Sequence, residues 1–280
     1  MIMADDRKVW FVTGTSTGFG RLIAEEALAA GDLVVATARD PRSVDDLAAA
    51  APDRVRALAL DVTDGAAVTK AVAEAVEAFG RIDVLVNNAG YGLRGAIEEF
   101  TDAELRQVFE TNVFGLLAVT RAVLPTMRAQ GSGLIVQMSS VGGVTSRLGG
   151  TAYAGTKFAV EGLSEGLAAE VAHLGIKVVI CEPGPFRTDF AGRSIRWSQP
   201  MEAYAPVLGP ERERFAAEDG NQPGDPLAAA KVIVGLARAE NPPLRLPMGH
   251  AAFRRIRETL TTRLADLDVV APLGLELDHS

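Results

Sequence analysis

The 280-residue sequence has very little cysteine and histidine. Its one cysteine, Cys181, lies in the apolar run 178–181, so an intrachain disulfide is impossible and a small buried side chain is the simplest interpretation. The lack of disulfides suits a reducing compartment. The three histidines, His173, His250 and His279, are scattered without a metal-ligand spacing, and we expect no metal site.

Positive charge is also scarce, because the net charge is −8. A negative chain repels nucleic-acid phosphates and anionic lipid, so we expect neither a nucleic-acid nor a membrane partner, although a local arginine could still hold a small anion. No stretch approaches the roughly 20 apolar residues of a membrane span. The N-terminus lacks the basic start and apolar core of a signal peptide. The expected location is the cytoplasm.

With 48% hydrophobic and 23% charged residues, the chain can bury a full core, and one large domain over 1–280 suits its length. Short continuous apolar runs, typical of strands buried on both faces, alternate with segments at helical spacing. The predicted strands are 8–13, 33–38, 55–60, 82–86, 134–138 and 176–181, and the predicted helices are 21–30, 66–79, 103–129 and 153–174. This alternation predicts a doubly wound α/β fold with a parallel sheet.

The C-terminal third has a different pattern. Residues 186–226 are polar and rich in proline, glycine and arginine, with no visible strand, so we predict an irregular loop that covers the substrate. A helix at 227–239, a last strand near 244–246 and a basic helix at 251–264 follow. We treat 250–280 as a C-terminal extension whose end, from about residue 269, is either docked or frayed.

The first predicted strand runs straight into a glycine-rich turn, Thr13-Gly14-Thr15-Ser16-Thr17-Gly18-Phe19-Gly20, and a helix begins directly behind it. Glycines permit the tight turn and let the backbone approach a phosphate. The helix N-terminus offers free N–H groups to a pyrophosphate. Strand, turn and helix in this order at the start of the first βαβ unit predict a dinucleotide site.

The second predicted strand ends in Ala38-Arg39-Asp40, near the expected adenosine ribose. NAD sites usually place a carboxylate where Ala38 stands, whereas a guanidinium suits the 2′-phosphate of NADP. We therefore predict that NADP(H) is preferred and that NAD(H) is the alternative. Arg42 could assist Arg39, and Asp40 lies one residue late for a ribose ligand.

These residues resemble the short-chain dehydrogenase/reductase family, roughly over residues 8–250. The glycine turn is similar to the family's TGxxxGxG motif, and residues 87–90 are similar to its NNAG motif. Asp61 and Val62 match its adenine-contacting pair. Pro183, Gly184 and Thr188 match a PGxxxT cofactor motif. Ser140 stands thirteen residues before Tyr153, and Lys157 four residues after it, as in the family's catalytic set.

The resemblance implies a Rossmann fold with a sheet of about seven strands. It also implies that Asn112, Ser140, Tyr153 and Lys157 are catalytic. Together, the turn, Arg39 and the family motifs predict cofactor contacts from Gly14, Ser16, Thr17, Gly18, Phe19, Gly20, Arg39, Asp61, Val62, Asn88, Ala89, Gly90, Tyr153, Lys157, Pro183, Gly184, Phe186 and Thr188.

Tyr153 and Lys157 share one face of a predicted helix, because they are four residues apart. A lysine ammonium, and the positive nicotinamide of an oxidised cofactor, would lower the pKa of Tyr153 toward a working value for a general acid/base. Ser140 would hydrogen-bond the reacting oxygen. By the resemblance, Lys157 would bind the nicotinamide ribose, and Asn112 would hold a relay water behind Lys157.

The substrate follows less directly. Residues 141–150, the region after Gly90 and the 186–226 loop are largely apolar and glycine-rich, which favours a small hydrophobic ketone, aldehyde or alcohol. A 3-oxoacyl thioester reductase and a hydroxysteroid dehydrogenase remain alternatives, as does a catalytically silent dinucleotide-sensing regulator. No GxSxG elbow surrounds Ser140, which argues against a serine hydrolase. The resemblance implies a homodimer or homotetramer, formed through helices 103–129 and 153–174.

Two further clusters leave their roles open. Arg254, Arg255 and Arg257 form either a solvated helix face or a subunit contact. The large side chains in the 186–226 loop, Trp197, Met201 and Tyr204, either line the substrate pocket or pack the loop down.

Overall fold

A computed structural model describes residues 7–275. Within them, seven strands form one parallel sheet in the order β3-β2-β1-β4-β6-β7-β9. Their bounds are β1 Val9–Thr13, β2 Leu33–Ala38, β3 Val55–Ala59, β4 Val84–Asn87, β6 Gly133–Met138, β7 Ile176–Pro183 and β9 Arg245–Met248. The predicted doubly wound fold is confirmed. His279 and the outer ends of the predicted domain and extension lie outside the described residues.

Helices cover both faces of the sheet. They are α1 Gly18–Ala29, α2 Asp45–Ala50, α3 Gly65–Phe79, α4 Asp102–Phe109, α5 Leu116–Gln130, α6 Thr151–Val171, α7 Ala205–Glu218, α8 Pro226–Leu236 and α9 His250–Gly274. On β1, Trp10 packs into the core with α1, α2 and α8, and its neighbour Phe11 packs into the core with α3 and α5. Because successive strand side chains point to opposite faces, a strand between two helical layers must be apolar throughout.

The strand order reverses direction between β1 and β4, which are neighbours in the sheet. Chains leaving the carboxyl ends of these two strands turn to opposite sides and open a crevice there, where open α/β sheets bind their ligands. The glycine turn follows β1, and residues 88–90 follow β4. The fold therefore places two of the sequence motifs at one crevice.

The predicted helix 103–129 is interrupted. A π-helical turn, Glu110–Gly115, separates α4 from α5. The whole run Asp102–Gln130 has 29 residues and is long and apolar enough to span a membrane by length and composition, which corrects the expectation that no such stretch exists. Its inner face nevertheless carries Val119, Val123 and Met127, all fully buried in the core against the sheet. These contacts are those of a core helix, which passes the same length test.

The prediction of an irregular loop at 186–226 is wrong in part. This segment contains a strand, β8 Ile195–Trp197, which pairs in parallel with β5 Gly92–Arg94, and it contains the 14-residue helix α7. A strand of three residues is too short to show an alternating sequence pattern. Pro206 and Pro210 make the sequence of α7 look unlike a helix. Pro206 lies in the first turn, where a missing N–H is harmless.

The last helix is longer than predicted. α9 continues to Gly274, so residues from 269 to 274 are helical rather than a docked or frayed tail. Its first turns pack on the domain, where Ala252 and Ile256 are buried against Val141, and Arg263 makes the last contact with the domain within the described helix.

Candidate active site

Tyr153 and Lys157 lie in the first two turns of α6, at the carboxyl edge of the sheet. Lys157 is buried, and its Nζ lies 5.7 Å from the centre of the Tyr153 ring. The same Nζ donates a hydrogen bond of 2.6 Å to the carbonyl oxygen of Met138, at the end of β6. The predicted pair therefore shares one helix face, and β6 fixes the lysine head.

Ser140 reaches the same place from the end of β6. It precedes a short 3-10 turn, Val141–Gly143, and its Oγ accepts a hydrogen bond of 3.0 Å from the Gly142 N–H. A Cβ on Gly142 would lie 3.4 Å from both Ser140 Oγ and the Tyr153 ring, so this turn has the two side chains beside it. Hydrogen bonding with Ser140 lowers the pKa of Tyr153.

Burial dominates the protonation of both groups. It raises the pKa of Tyr153 to about 12, and the opposing effects of Ser140 and the Arg94 charge are smaller. Burial also lowers the pKa of Lys157 to about 8, against a smaller raising effect of Glu161. The expectation that Lys157 lowers the pKa of Tyr153 is therefore wrong for the protein alone, because desolvation outweighs charge and the cation acting on Tyr153 is Arg94.

Asn112 lies on the π-helical turn and is buried. Its Nδ2 donates to the Tyr91 carbonyl oxygen at 2.8 Å and to Thr156 Oγ1 at 3.1 Å, and its Oδ1 accepts from the Tyr91 N–H at 3.0 Å. Both amide hydrogens are thus used within the protein. In this arrangement Asn112 ties the chain after β4 to α6, and none of these hydrogen bonds involves Lys157.

The glycine turn is built around Gly14, Gly18 and Gly20. Gly14 and Gly18 have φ of 71° and 60°, and a Cβ on Gly20 would lie 2.3 Å from the Gly14 carbonyl oxygen. Thr17, at the N-cap of α1, makes no side-chain capping bond, and no acidic residue lies in the first turn. The first N–H groups of α1 are therefore open to an anion, as a bound pyrophosphate requires.

Asn88 supports this turn from below. Its Nδ2 donates to the carbonyl oxygens of Thr13 and Gly14 at 2.9 and 3.0 Å. The Thr13 hydroxyl in return accepts from the N–H groups of Asn88 and Ala89. A Cβ on Gly90 would lie 2.9 Å from Asn112 Oδ1. The NNAG residues therefore hold the glycine turn and Asn112 in place.

The segment after β7 covers the start of α1. The Phe186 ring lies 5.2 Å from the Phe19 ring, edge to face, and a Cβ on Gly18 would lie 3.7 Å from Thr188 Cβ. Gly184 donates its N–H to the Met248 carbonyl oxygen at the end of β9. The predicted PGxxxT residues thus face the glycine turn across the crevice.

Arg39 and Asp61 lie at the end of the crevice where the sequence predicts the adenosine to bind. Both are exposed, and the Arg39 charge contributes to a lowered pKa of Asp61, whose main cause is hydrogen bonding from Thr63. Val62 is buried and packs closely against Gly115 of the π-helical turn. A Cβ on Gly115 would lie 2.7 Å from Val62 Cγ2.

Asp40 and Arg42 bind each other at this end of the crevice. Arg42 holds Asp40 through Nε and Nη2 at 2.9 and 2.8 Å. Arg39 forms no ion pair within residues 7–275. Arg39 is thus the guanidinium left available for a ligand, and the suggested assistance from Arg42 is weakened by Asp40.

Sequence reasoning missed an arginine that packs against residues 186–226, which we call the covering segment. Arg94, on β5, is buried and pairs with Glu211 of α7 at 3.1 Å, and it donates to the Leu148 carbonyl oxygen. Its guanidinium lies 5.1 Å from the Trp197 ring centre and 4.3 Å from that of Phe215. A lone arginine in a short strand gave no signal of this role.

The large side chains of the covering segment mainly pack it down. Trp197 lies between two guanidiniums, with Arg212 4.5 Å from its ring centre. The Tyr204 hydroxyl bonds Glu98, and the Met201 N–H bonds Glu99. Phe190 is the side chain that reaches the site, with its ring 5.5 Å from that of Tyr153.

Two buried carboxylates lie behind Lys157. Glu161 follows it by one helical turn, and Glu182 is the last residue but one of β7. Burial raises the pKa of both carboxyl groups, and that of Glu182 reaches about 7. Arg245 lies 3.2 Å from Glu161 and 3.9 Å from Glu182. The cluster could have been predicted in part from the sequence, because Glu161 is four residues after Lys157 and so lies on the same helix face. Residues 7–275 contain no group of three histidine, cysteine or acidic residues suited to a metal ion.

Comparison with protein families gives a direct match. The family model described as short chain dehydrogenase matches residues 8–199. Among curated proteins, oxidoreductase BOA17 of Botryotinia fuckeliana is 42% identical over 243 residues, which cover 86% of this chain and 89% of that protein. The 3-ketodihydrosphingosine reductase of Bacteroides thetaiotaomicron is 36% identical over 86% of this chain and 88% of its own.

Solved structures show the same likeness. A short-chain dehydrogenase from Streptomyces avermitilis is 48% identical, covers 98% of this chain and 100% of its own, and superposes with a TM-score of 0.92. The structure of ElxO with NADP bound has a TM-score of 0.70 at 28% identity, covering 84% of this chain and 93% of its own. A Burkholderia phymatum dehydrogenase/reductase in complex with NAD has a TM-score of 0.80 at 26% identity, covering 96% of both chains.

Proposed function

The chain belongs to the short chain dehydrogenase family, and we propose that it interconverts a carbonyl compound and an alcohol, with Tyr153 as the general acid/base. One observation carries this proposal. Tyr153, Ser140 and Lys157 meet at the carboxyl edge of the sheet, in the crevice that the glycine turn also borders. A proton donor, an oxyanion donor and a dinucleotide cradle in one crevice are the parts that hydride transfer to a carbonyl requires.

The residues present fit a nicotinamide dinucleotide. Gly18 leaves open space between the glycine turn and Thr188, because a Cβ on Gly18 would lie 3.7 Å from Thr188 Cβ. The uncapped N-terminus of α1 borders this space. The glycine turn and Thr188 would hold the pyrophosphate, Asp61 and Val62 the adenine, and Lys157 the nicotinamide ribose. The bound dinucleotide supplies or accepts the hydride.

The side chains of the site would then bind the carbonyl oxygen of the substrate and transfer one proton to it. Tyr153 holds the proton that the substrate oxygen gains on reduction, and its pKa of about 12 keeps it loaded at neutral pH. The Ser140 hydroxyl donates a hydrogen bond to the same oxygen and stabilises its developing charge. Asn112 acts by position, because its hydrogen bonds fix the Tyr91 backbone relative to α6.

For the cofactor we propose a preference for NADP(H). The support is Arg39, an exposed guanidinium beside Asp61, with Ala38 rather than a carboxylate before it. The related structures contain either NADP or NAD, so family membership alone does not decide the preference.

The substrate class we propose is a hydrophobic ketone, aldehyde or secondary alcohol, covered by the 186–226 segment. Phe190 against Tyr153 supports an apolar surface at the reacting carbon. The name of the Bacteroides relative favours ketones on long alkyl chains as the first compounds to try. 3-Oxoacyl thioesters and hydroxysteroids are the alternatives within this chemistry. We further propose a cytoplasmic homodimer or homotetramer built on α5 and α6.

A panel of ketones, aldehydes, 3-oxoacyl thioesters and steroids tests the function. The purified protein is mixed with NADPH and each compound, and the loss of NADPH absorbance is followed. Turnover of a subset of hydrophobic carbonyls supports the proposal. Tight NADPH binding with no oxidation across the whole panel would instead indicate a silent dinucleotide sensor.

A further inference from the structure

The C-terminal helix α9 leaves most of its surface uncovered. Its first turns pack on the domain through Ala252 and Ile256, but every residue from 261 to 270 is exposed. Arg263 contacts the domain twice: it donates a hydrogen bond of 2.7 Å to the Val144 carbonyl oxygen, and its guanidinium lies 5.6 Å from the ring centre of Phe158 on α6. Since helices in proteins draw most of their stability from packing an apolar face, a long uncovered helix points to a partner.

One side of the uncovered helix carries an apolar stripe. Phe253, Leu260, Leu264 and Leu267 are 59%, 48%, 64% and 61% exposed. Together with Arg257 and Ala271 they form a series at positions 253, 257, 260, 264, 267 and 271, in which steps of four and three residues alternate. This alternation is the seam of a coiled coil, and only Arg257 breaks its apolar character.

A groove runs beside the first half of the stripe. Its lining is Pro247 from β9 and Phe253, Ile256, Arg257, Leu260, Thr261 and Leu264 from α9. A second helix laid along the seam would enter this groove.

Charge divides α9 into two unlike halves. The part of α9 up to residue 263 carries four arginines and one acidic residue, Glu258, whereas the described part after it carries Asp266 and Asp268 and no basic residue; the arginines are Arg254, Arg255, Arg257 and Arg263. Two copies laid side by side in the same direction would oppose like charges. Two antiparallel copies would oppose the basic half to the acidic half.

We propose that α9 is a self-association surface on which a second copy of this chain lies antiparallel along the stripe. In that register Leu260 faces Leu264 of the second copy, and the large Phe253 faces the small Ala271. Arg254 flanks Asp268 of the second copy. The same contacts repeat with the roles exchanged, as a two-fold interface demands.

This surface uses other residues than the expected family interface on α5 and α6, but it adjoins α6, where Arg263 lies 5.6 Å from the Phe158 ring centre. It lies next to the active site, because the first turn of α9 packs on Val141, which directly follows Ser140. Association through α9 would therefore stabilise the turn that follows Ser140.

A membrane surface is the other occupant that an apolar helix with arginines could accept. Its acidic second half argues against an anionic lipid surface, since Asp266 and Asp268 lie in the most exposed part of the stripe. Vesicle binding is therefore the competing outcome of the test.

Cysteine cross-linking tests the register. The one native cysteine, Cys181, is fully buried, so an introduced cysteine is the reactive one. Thr261 flanks the seam and meets its own copy across the two-fold axis, whereas Thr262 points to the opposite side of the helix. With a short bis-maleimide at micromolar protein, we expect Thr261→Cys to form covalent dimers at least tenfold faster than Thr262→Cys. Equal rates, or no dimer from either variant, would overturn the proposal.

A charge exchange gives the second measurement. Arg254→Asp and Asp268→Arg should each weaken association at least fivefold in sedimentation velocity, and the double variant should restore it. Circular dichroism checks that the variants stay folded. Single and double variants that associate alike, or a monomer that floats with phosphatidylserine vesicles, would contradict self-association.

Discussion

Tyr153 and Lys157 are both held toward their neutral forms by burial. The pKa of Tyr153 lies at about 12 and that of Lys157 at about 8. The charged form of Lys157 therefore destabilises the fold at neutral pH, a cost that our proposal explains by the binding of the nicotinamide ribose to Lys157. Active sites commonly carry such destabilising groups.

Replacing Lys157 should stabilise the protein at neutral pH. Below pH 8 the folded protein carries the full cost of the buried ammonium; between pH 8 and 10.5 the unfolded chain binds more protons, so stability rises with pH. Lys157→Met should add up to about 3 kcal/mol to the free energy of unfolding at pH 7 and remove this rise. Urea denaturation at pH 7 and pH 9.5 measures both.

The matched control is Lys231→Met, at an exposed lysine on α8. It should change neither the stability nor its pH dependence. The account of the buried charge fails if Lys157→Met is less stable than the wild type at pH 7.

Arg39 should decide between the two cofactors. Arg39→Ala is expected to lower kcat/KM for NADPH by about 10- to 100-fold, because a bidentate contact to phosphate is lost. The value for NADH should change little. Arg42→Ala is the control, since Asp40 already binds that guanidinium. An equal loss with both cofactors would show that Arg39 does not contact the 2′-phosphate.

Among the secondary-structure elements, those with a distinctive local sequence pattern could be predicted. The strands have continuous apolar runs, and the glycine turn has a fixed place between β1 and α1. β5 and β8 have only three residues each and exist because they pair with each other. The same limit applies to Arg94 and Glu211, which are 117 residues apart and meet only in the folded chain.

The covering segment should depend on the Arg94–Glu211 pair. Arg94 is 8% exposed, and Glu211→Gln would leave its charge without a carboxylate in an apolar setting. We expect a loss of about 3 kcal/mol in the free energy of unfolding, since one partner of a buried pair is removed. KM for the carbonyl substrate should rise more than kcat falls, because in our proposal the segment covers the substrate and takes no part in the chemistry.

Glu213→Gln, two residues along α7, provides the comparison, since Glu213 is exposed and forms no ion pair within the described residues. If both variants have the same unfolding free energy and the same KM, the pair does not hold the covering segment.

For the whole molecule, the layered architecture followed from the alternation of strands and helices, but the surfaces between copies did not. Leu163 on α6 and Leu227 on α8 are each 40% exposed and lie in different helical layers. A sequence pattern cannot tell such outward leucines apart, because neither contributes to the core.

The proposed α5–α6 interface predicts different results for these two leucines. Leu163→Asp should lower the mass in sedimentation equilibrium by a factor of two, because a charge would be buried without a partner. Leu227→Asp should leave the mass unchanged. The reverse result would place the main interface on the α8 side of the sheet.

The most direct measurement is the rate of NADPH oxidation by the wild type and by Tyr153→Phe, with the best carbonyl substrate from the panel. Removing the hydroxyl deletes the proton donor, so the rate should fall by at least about 100-fold. NADPH binding, followed by fluorescence, should change less than threefold. Retained turnover in Tyr153→Phe would contradict the assignment of Tyr153 as the general acid/base.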